Sequence, residues 1–222
     1  MVETRLFDLT GKVALLTGAS KGMGRAMAAG LAAHGATVVI SSRKQDQLDA
    51  AAAEINGEIG AERVHAVAAN AGRHEELEKL VAKTREIAGP IDVVVGNAGV
   101  NIFYGKISEI PDAAYEKTMA TNVQANLWLA RLVVPDMIAR GSGSMMFTSS
   151  VGAFKPSATL GLYGVSKLAL IGLVRNLAAE FGPQGVRANA ICPGLIRTDF
   201  AKALWDNPEA ERRANEDIPL RR

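Results

Sequence analysis

The chain is predicted to fold as one α/β domain over residues 1–222, built on a doubly wound parallel sheet with helices on both faces. Short apolar runs alternate with longer helix-forming stretches, and this order favours a parallel sheet covered on both sides. The first apolar run leads into a glycine-rich turn and then a helix, which is typical of a Rossmann-like fold. A length of 222 residues suits one domain with a sizeable core.

Six strands are predicted, each a short apolar run bounded by polar or turn residues. In chain order they cover residues 12–16, 37–40, 64–67, 91–95, 144–148 and 186–192.

Helices are predicted between these strands, at residues 25–34, 44–59, 75–88, 113–139 and 162–181. Gly35 closes the first helix, Gly89-Pro90 ends the third, and Pro111-Asp112 is the start signal of the fourth. The sequence shows no repeat, low-complexity tract or interdomain linker.

Composition excludes several classes of protein. The chain is 48% hydrophobic and 22% charged, with a net charge of +2 and interspersed acids and bases, so neither nucleic acid nor a membrane surface is an expected partner. Cys192 is the single cysteine, which excludes an internal disulfide and fits a reducing compartment. With a charged start and no membrane-length apolar run, we expect a cytoplasmic protein. The three histidines are scattered, so no metal site is predicted.

The glycine-rich turn after the first strand is a candidate pyrophosphate site. Glycines let the backbone approach a ligand closely, and the following helix offers unpaired N–H groups and a positive dipole end. The spacing is Gly-x-x-x-Gly-x-Gly instead of the standard dinucleotide fingerprint, and a simple turn is the alternative. The strand before and the helix after favour the ligand site. Its candidate residues are Gly18, Ser20, Lys21, Gly22, Met23 and Gly24.

A second group of polar residues indicates proton chemistry. Tyr163 and Lys167 are four residues apart, so on a helix the phenol and the ammonium share one face. A nearby cation favours phenolate, so we expect the tyrosine pKa to fall below its reference of about 10. Ser150, thirteen residues before Tyr163, could hold a carbonyl oxygen beside it; Ser149 fits that spacing less well. By itself, Tyr-x-x-x-Lys also occurs by chance on solvated helices.

Together these motifs match a known family. Asn97-Ala98-Gly99 follows the fourth strand, Asn122 lies in the long helix, and Pro193-Gly194 with Thr198 follow the sixth strand. In order and spacing, over nearly its whole length, the chain resembles the short-chain dehydrogenase/reductases.

The resemblance implies roles for the matching positions. Tyr163 is the general acid in carbonyl reduction and the base in alcohol oxidation, while Lys167 stabilises its phenolate and bonds the nicotinamide ribose. Ser150 polarises the substrate carbonyl, and Asn122 holds a relay water, although it could instead cap or kink its helix. The remaining cofactor-binding positions are Asn97, Ala98 and Gly99 on the adenosine side, and Pro193, Gly194, Ile196 and Thr198 on the nicotinamide and diphosphate side.

Charge at the end of the second strand predicts the cofactor. A carboxylate there would bond the ribose hydroxyls and repel a 2′-phosphate, but residues 40–44 contain none. Ser42 and Arg43, with Lys21, can bind phosphate, so NADP(H) is predicted. The alternative is that Arg43 and Lys44 only begin a solvated helix. Asn70 stands where the family usually has an aspartate that contacts adenine, and its amide oxygen can still accept a hydrogen bond.

The family normally continues beyond Arg222 with a further helix and a strand that closes the sheet. We therefore expect the final strand to be missing and the sixth strand to be a sheet edge. A truncated chain is the favoured explanation, and the alternative is that the protein has lost this element.

The predicted substrate pocket is largely apolar and comprises Val151, Phe154, Leu160 and a mobile lid at 195–205. It suggests a small or medium carbonyl compound. By resemblance, the helices of Asn122 and Tyr163 form a homodimer or homotetramer interface, with Ala169, Leu173, Leu177 and Ala178 on the contact face. The leading prediction is an NADPH-dependent carbonyl reductase. The alternatives are an alcohol dehydrogenase using NADP or NAD, and a non-catalytic NADP(H)-binding regulatory protein.

Overall fold

The computed structural model describes residues 6–206, 208–216 and 218–221, without the side chains of residues 203, 204, 210, 213 and 214. These residues form a six-stranded, all-parallel sheet in the order β3-β2-β1-β4-β5-β6. The predicted fold class is therefore confirmed. The strands are β1 Val13–Thr17, β2 Thr37–Ser41, β3 Val64–Ala66, β4 Val93–Gly96, β5 Gly143–Thr148 and β6 Val186–Ile191.

Four of the five predicted helices are present with similar bounds, and the fourth is interrupted. The helices of the described residues are α1 Gly22–Ala33, α2 Gln45–Ile59, α3 His74–Ala88, α4 Asp112–Met119, α5 Ala125–Arg140, α6 Gly161–Phe181, α7 Lys202–Trp205 and α8 Pro208–Glu216. Of these, α7 and α8 were not predicted. Short 3₁₀ turns lie at Ile107–Glu109, Val151–Ala153, Gly182–Gln184 and Asp199–Ala201.

Two hydrophobic clusters lie on opposite faces of the sheet, because successive side chains of a strand point to opposite sides. Val13 and Leu15 of β1 pack with α3, α5 and α6, whereas Ala14 and Leu16 pack with α1 and α2. All four β1 residues are at most 6% exposed. A strand buried on both faces explains why β1 is apolar throughout instead of alternating.

The predicted helix 113–139 is interrupted, and the prediction of a continuous helix is wrong. α4 and α5 are joined by a π-helical segment at Ala120–Gln124, which contains Asn122. The side chain of Asn122 is fully buried; its Oδ1 accepts from the Val100 amide at 2.8 Å and its Nδ2 donates to the Val100 carbonyl at 2.9 Å. The π turn thus accompanies a side chain that is bonded to the loop after β4, a combination found often at functional sites.

α6 is the most apolar of the long helices. Its segment Gly161–Gln184 is long and apolar enough, by length and composition, to cross a membrane. In the fold it packs on the sheet through Leu162, Leu170, Val174 and Leu177. Since a core helix passes the same test, the segment is weak evidence for a membrane span.

The predicted contact face of α6 needs a correction. Leu177 is 4% exposed and belongs to the core, and Leu173 is partly buried against it. The exposed apolar side chains of α6 are instead Val165 and Leu168, at 44% and 52%. A helix repeats every 3.6 residues, so these two positions point away from the sheet while Leu177 points towards it.

Asn56 is the buried polar residue that fastens β3 to α2. Its amide accepts from the Arg63 and Val64 N–H groups and donates to the Val64 carbonyl.

We expect Asn56→Ala to lower the free energy of unfolding by about 2–3 kcal/mol, since it leaves buried backbone groups unpaired. Urea denaturation measures this loss. Asn176→Ala, which removes an exposed bond to Gly172, is the control, and equal losses in both variants would contradict the assignment.

Candidate active site

The candidate site lies where the carboxyl ends of the strands meet. The strand order reverses between β1 and β4, and open α/β sheets bind ligands at such a switch point. Asn97, directly after β4, donates to the Gly18 carbonyl at 2.8 Å, and its Oδ1 accepts from the Thr148 hydroxyl at 3.0 Å. The Thr17 hydroxyl accepts from the amides of Asn97 and Ala98, both at 3.3 Å. The ends of β1, β4 and β5 are thus fixed together.

The predicted glycine turn has the backbone needed to approach a ligand. Gly18 and Gly22 have φ values of +64° and +58°, which favour glycine. A Cβ on Gly18 would lie 2.8 Å from the Cα of Ala98, so the turn packs directly on the loop after β4. Gly24 lies against the Gly18 carbonyl. Lys21 is exposed, while Ser20 and Met23 are half-buried.

The residues after β2 border the same crevice. Ser42 is half-buried and its carbonyl accepts from the Ala69 amide at 2.9 Å, whereas Arg43 is exposed. Asn70 is half-buried, and its Oδ1 accepts from the Gly72 amide at 3.1 Å. Asn70 therefore closes its own turn, and the second lone pair of the amide oxygen remains a possible acceptor for adenine.

The four predicted catalytic residues come together around Gly99. A Cβ on Gly99 would lie 3.3 Å from Lys167 Nζ and 3.4 Å from Asn122 Oδ1. Lys167 Nζ lies over the Tyr163 ring, 5.5 Å from its centroid. The Ser150 side chain lies close enough to the phenol to influence its pKa by hydrogen bonding. The Ser150 hydroxyl also accepts from the Gly152 amide at 3.0 Å.

The predicted effect of Lys167 on Tyr163 is wrong in this structure. Burial raises the pKa of the phenol above its ordinary value, and the bond with Ser150 opposes that rise only in part. The physical reason is the direction of the ammonium, which donates to the Thr148 carbonyl at 2.7 Å and faces the ring. Tyr163 is therefore a protonated donor at neutral pH.

Lys167 is a buried charge. It is 3% exposed, and burial lowers its pKa from 10.5 to about 8, while the neighbouring Cys192 acts in the opposite direction. Ser149, 2% exposed, donates to the Lys167 carbonyl at 2.9 Å. Ser149 thus supports α6, and Ser150 is the serine beside the phenol.

Sequence reasoning missed Ser166 as a member of the site. Ser166 is fully buried; its hydroxyl accepts from Asn122 Nδ2 at 3.0 Å and donates to the Tyr163 carbonyl at 2.7 Å. It connects the π segment to the helix that carries Tyr163. Its place directly before Lys167 was visible in the sequence, but a serine within a helix gives no signal of such a partner.

The segment after β6 covers the site. The Pro193 carbonyl accepts from the Val151 amide at 3.0 Å, and the Thr198 hydroxyl donates to the Ile196 carbonyl at 3.4 Å. Gly194 and Ile196 are exposed, and Thr198 is half-buried.

The predicted substrate pocket residues Val151, Phe154 and Leu160 are here called the apolar rim. Phe200 is a further member of this rim, which sequence reasoning placed only within the lid. The rings of Phe200 and Tyr163 are 6.2 Å apart and tilted by 43°. Val151, Phe154 and Phe200 are 39%, 66% and 59% exposed, and Leu160 is half-buried. Phe200 thus places an apolar side chain beside the Tyr163 ring.

The residues present fit a dinucleotide. α1 begins at Gly22, the second of the two positive-φ glycines, and Lys21 stands directly before it. Arg43, exposed after β2, is a further cation. Within the described residues, no three His, Cys, Asp or Glu side chains are grouped to hold a metal ion.

The chain is similar to proteins of one known family. The model of the short chain dehydrogenase family matches residues 12–209. Dehydrogenase/reductase SDR family member 4 of Homo sapiens is 42% identical over 219 residues, which cover 99% of this chain and 78% of that protein.

Solved structures are also similar. 7α-Hydroxysteroid dehydrogenase, complexed with NADH and 7-oxo glycochenodeoxycholic acid, has a TM-score of 0.93 and 31% identity, covering 100% of this chain and 85% of its own. A candidate NAD(P)-dependent gluconate 5-dehydrogenase from Beutenbergia cavernae, with bound NADP at low occupancy, has a TM-score of 0.90 and 31% identity, covering 97% and 85%.

Burial of Lys167 gives the stability of the protein a pH dependence. Because the folded pKa of about 8 lies below the unfolded 10.5, the unfolded state holds more protons between these values, and stability rises with pH there. The quantity to follow is the difference in unfolding free energy between the wild type and Lys167→Met. We expect this difference to shift in favour of the wild type by about 3 kcal/mol between pH 7 and a pH above 10. Urea denaturation at both pH values tests this, with the exposed Lys79→Met as control. A difference from Lys167→Met that does not change with pH would contradict it.

Proposed function

This chain belongs to the short-chain dehydrogenase/reductase family, and we propose that it is an NADPH-dependent carbonyl reductase. The observation that carries the proposal is the meeting of Tyr163, Ser150 and the buried Lys167 at the strand ends, opposite the glycine turn. Members of the family are oxidoreductases that bind NAD(P)(H).

The cofactor would lie across the carboxyl ends of the strands. Gly18, Gly22 and the N-terminus of α1 would hold the pyrophosphate, and Asn97 to Gly99 would line the adenosine side. Lys167 would bond the nicotinamide ribose, and Pro193 to Thr198 would close over the nicotinamide. When bound, the cofactor supplies the hydride, and the protein supplies orientation and electrostatics.

Tyr163 would give the proton. Its raised pKa keeps the phenol protonated at neutral pH, which suits a donor to the oxygen of a carbonyl under reduction. Ser150, next to the phenol, would donate its hydroxyl hydrogen to the same oxygen and polarise the carbonyl.

Lys167 would restore the proton to Tyr163. A pKa of about 8 lets the ammonium exchange protons near neutral pH. Asn122 and Ser166 fix the π segment against α6 and so position the entry to this path. We propose that a water held at Asn122 connects Lys167 with solvent.

Preference for NADP(H) is argued from charge. Residues 41–45 carry Arg43 and Lys44 and no carboxylate, so nothing at the end of β2 would repel a 2′-phosphate. Arg43 is exposed and Ser42 is half-buried beside it. Arg43, Ser42 and Lys21 together would bind the phosphate.

The rim suggests the substrate. Phe154, Phe200 and Val151 are apolar and exposed next to the phenol, which favours a small or medium carbonyl compound without several charges. The exposed Val165 and Leu168 of α6 would be covered in a homodimer or homotetramer, in a cytoplasmic protein.

Tyr163→Phe tests the proton donor. We expect the rate of NADPH oxidation with a carbonyl substrate to fall at least a hundredfold, since general acid catalysis contributes about 10²–10⁴. Binding of NADPH, measured by calorimetry, should change little. Tyr115→Phe, an exposed tyrosine on α4, is the control, and near-normal turnover in Tyr163→Phe would contradict the mechanism. A panel of ketones, aldehydes, diketones and β-ketoesters supplies the substrate.

Arg43→Ala tests the cofactor preference. Loss of a charged hydrogen bond of about 1.5–3 kcal/mol predicts that the KM for NADPH rises by roughly ten- to a hundredfold. The KM for NADH should stay near its wild-type value, because NADH has no 2′-phosphate. Arg187→Ala is the control, because Arg187 is exposed at the amino end of β6, away from the carboxyl ends of the strands where the site lies. Equal effects on NADPH and NADH would refute the role of Arg43.

A further inference from the structure

We propose that Asp199 is a specificity-determining residue for the cofactor, which competes with the 2′-phosphate for Lys21 and so weakens NADPH binding but not NADH binding. The inference rests on the proposed function, because it requires Lys21 to bind that phosphate. It assigns a role to a carboxylate outside the catalytic residues and outside the predicted cofactor contacts.

The first observation is an ion pair across the mouth of the cofactor site. Lys21 Nζ lies 2.7 Å from Asp199 Oδ2, joining the glycine turn to the segment after β6. The two side chains are 64% and 69% exposed, so the pair is open to solvent and to an incoming ligand. Lys21, the cation of the glycine turn, is therefore already paired with a carboxylate.

A second observation shows that the contact is more than a chance meeting of flexible side chains. A Cβ on Gly22 would lie 3.2 Å from Thr198 Cγ2, so the residue before Asp199 lies against the glycine turn. Trp205 Nε1 donates to the Thr198 carbonyl at 2.8 Å and ties the following helix to the same point. Asp199 is thus held over the turn by its neighbours.

Charge makes Asp199 an effective competitor. Lys21, through its hydrogen bond and its charge, holds the pKa of the Asp199 carboxyl below its ordinary value, and Lys202 adds to this. The carboxylate is consequently ionised throughout the neutral pH range. A 2′-phosphate arriving at Lys21 must displace the carboxylate and bind near its negative charge. NADH has no 2′-phosphate, and the pyrophosphate that both cofactors share would lie on the glycine turn.

The same pair reaches the substrate side. Phe200, the next residue after Asp199, has its ring 6.2 Å from the ring of Tyr163. The segment that lies over the glycine turn thus also reaches the Tyr163 ring.

The test is calorimetric titration of NADPH and NADH into Asp199→Asn. We expect NADPH to bind about two- to fivefold more tightly than to the wild type, a range typical of an exposed ion pair. The gain should shrink in high salt, which screens exposed charges, and NADH affinity should not change. Asp206→Asn is the matched control, because Asp206 pairs with Lys202 at 4.0 Å on the same segment.

In a protein that already carries Lys21→Met, adding Asp199→Asn should give no gain in NADPH affinity, because the competition acts through Lys21. Equal gains for NADPH and NADH, or a gain that persists with Lys21→Met, would overturn the inference. If the wild type prefers NADPH and Asp199→Asn binds it unchanged, the inference fails and the proposed function stands. If the wild type binds NADH at least as tightly as NADPH, the proposed cofactor and the inference fail together.

Discussion

The hydrogen bonds of Asn97 are the constraint on which the site depends. This one amide, directly after β4, bonds the Gly18 carbonyl of the glycine turn and the Thr148 hydroxyl at the end of β5. It thereby fixes the distance between the half of the site that suits a dinucleotide and the half that carries Ser150. The Thr148 carbonyl in turn accepts from Lys167, so the same strand end also positions the buried ammonium. The parallel sheet brings these strand ends together, and the Asn97 amide holds the segments that follow them in contact.

Burying the charged form of Lys167 costs free energy, and this cost changes the pKa of the side chain. Burial destabilises the ammonium and lowers its pKa to about 8, where proton exchange near neutral pH becomes possible. The neighbouring phenol is shifted the other way by the same burial, and it remains protonated. Two groups with ordinary values near 10 thus acquire different protonation behaviour from a shared low-dielectric environment. Such separation is typical of groups that divide acid and base roles.

The sequence predicted most of the fold, because alternating apolar and helical stretches determine a parallel sheet and each β1 residue is buried. It also brought Asn122, Ser150, Tyr163 and Lys167 into one site, through spacing and resemblance. It did not predict the π segment, since that depends on the bond of Asn122 to Val100, twenty-two residues away. Likewise, the direction of Lys167 towards Thr148, the partners of Ser166 and the pairing of Lys21 with Asp199 are tertiary contacts without a local signal.

In the proposed reduction, NADPH would supply hydride directly to a carbonyl carbon and Tyr163 would supply the proton to the carbonyl oxygen. The most direct measurement uses NADPH deuterated at both C4 positions and mass spectrometry of the alcohol formed from a ketone. The account predicts that the product carries one deuterium on the former carbonyl carbon, and that with unlabelled NADPH in D₂O this carbon carries none. Product that gains carbon-bound deuterium from the solvent, or none from the cofactor, would contradict it.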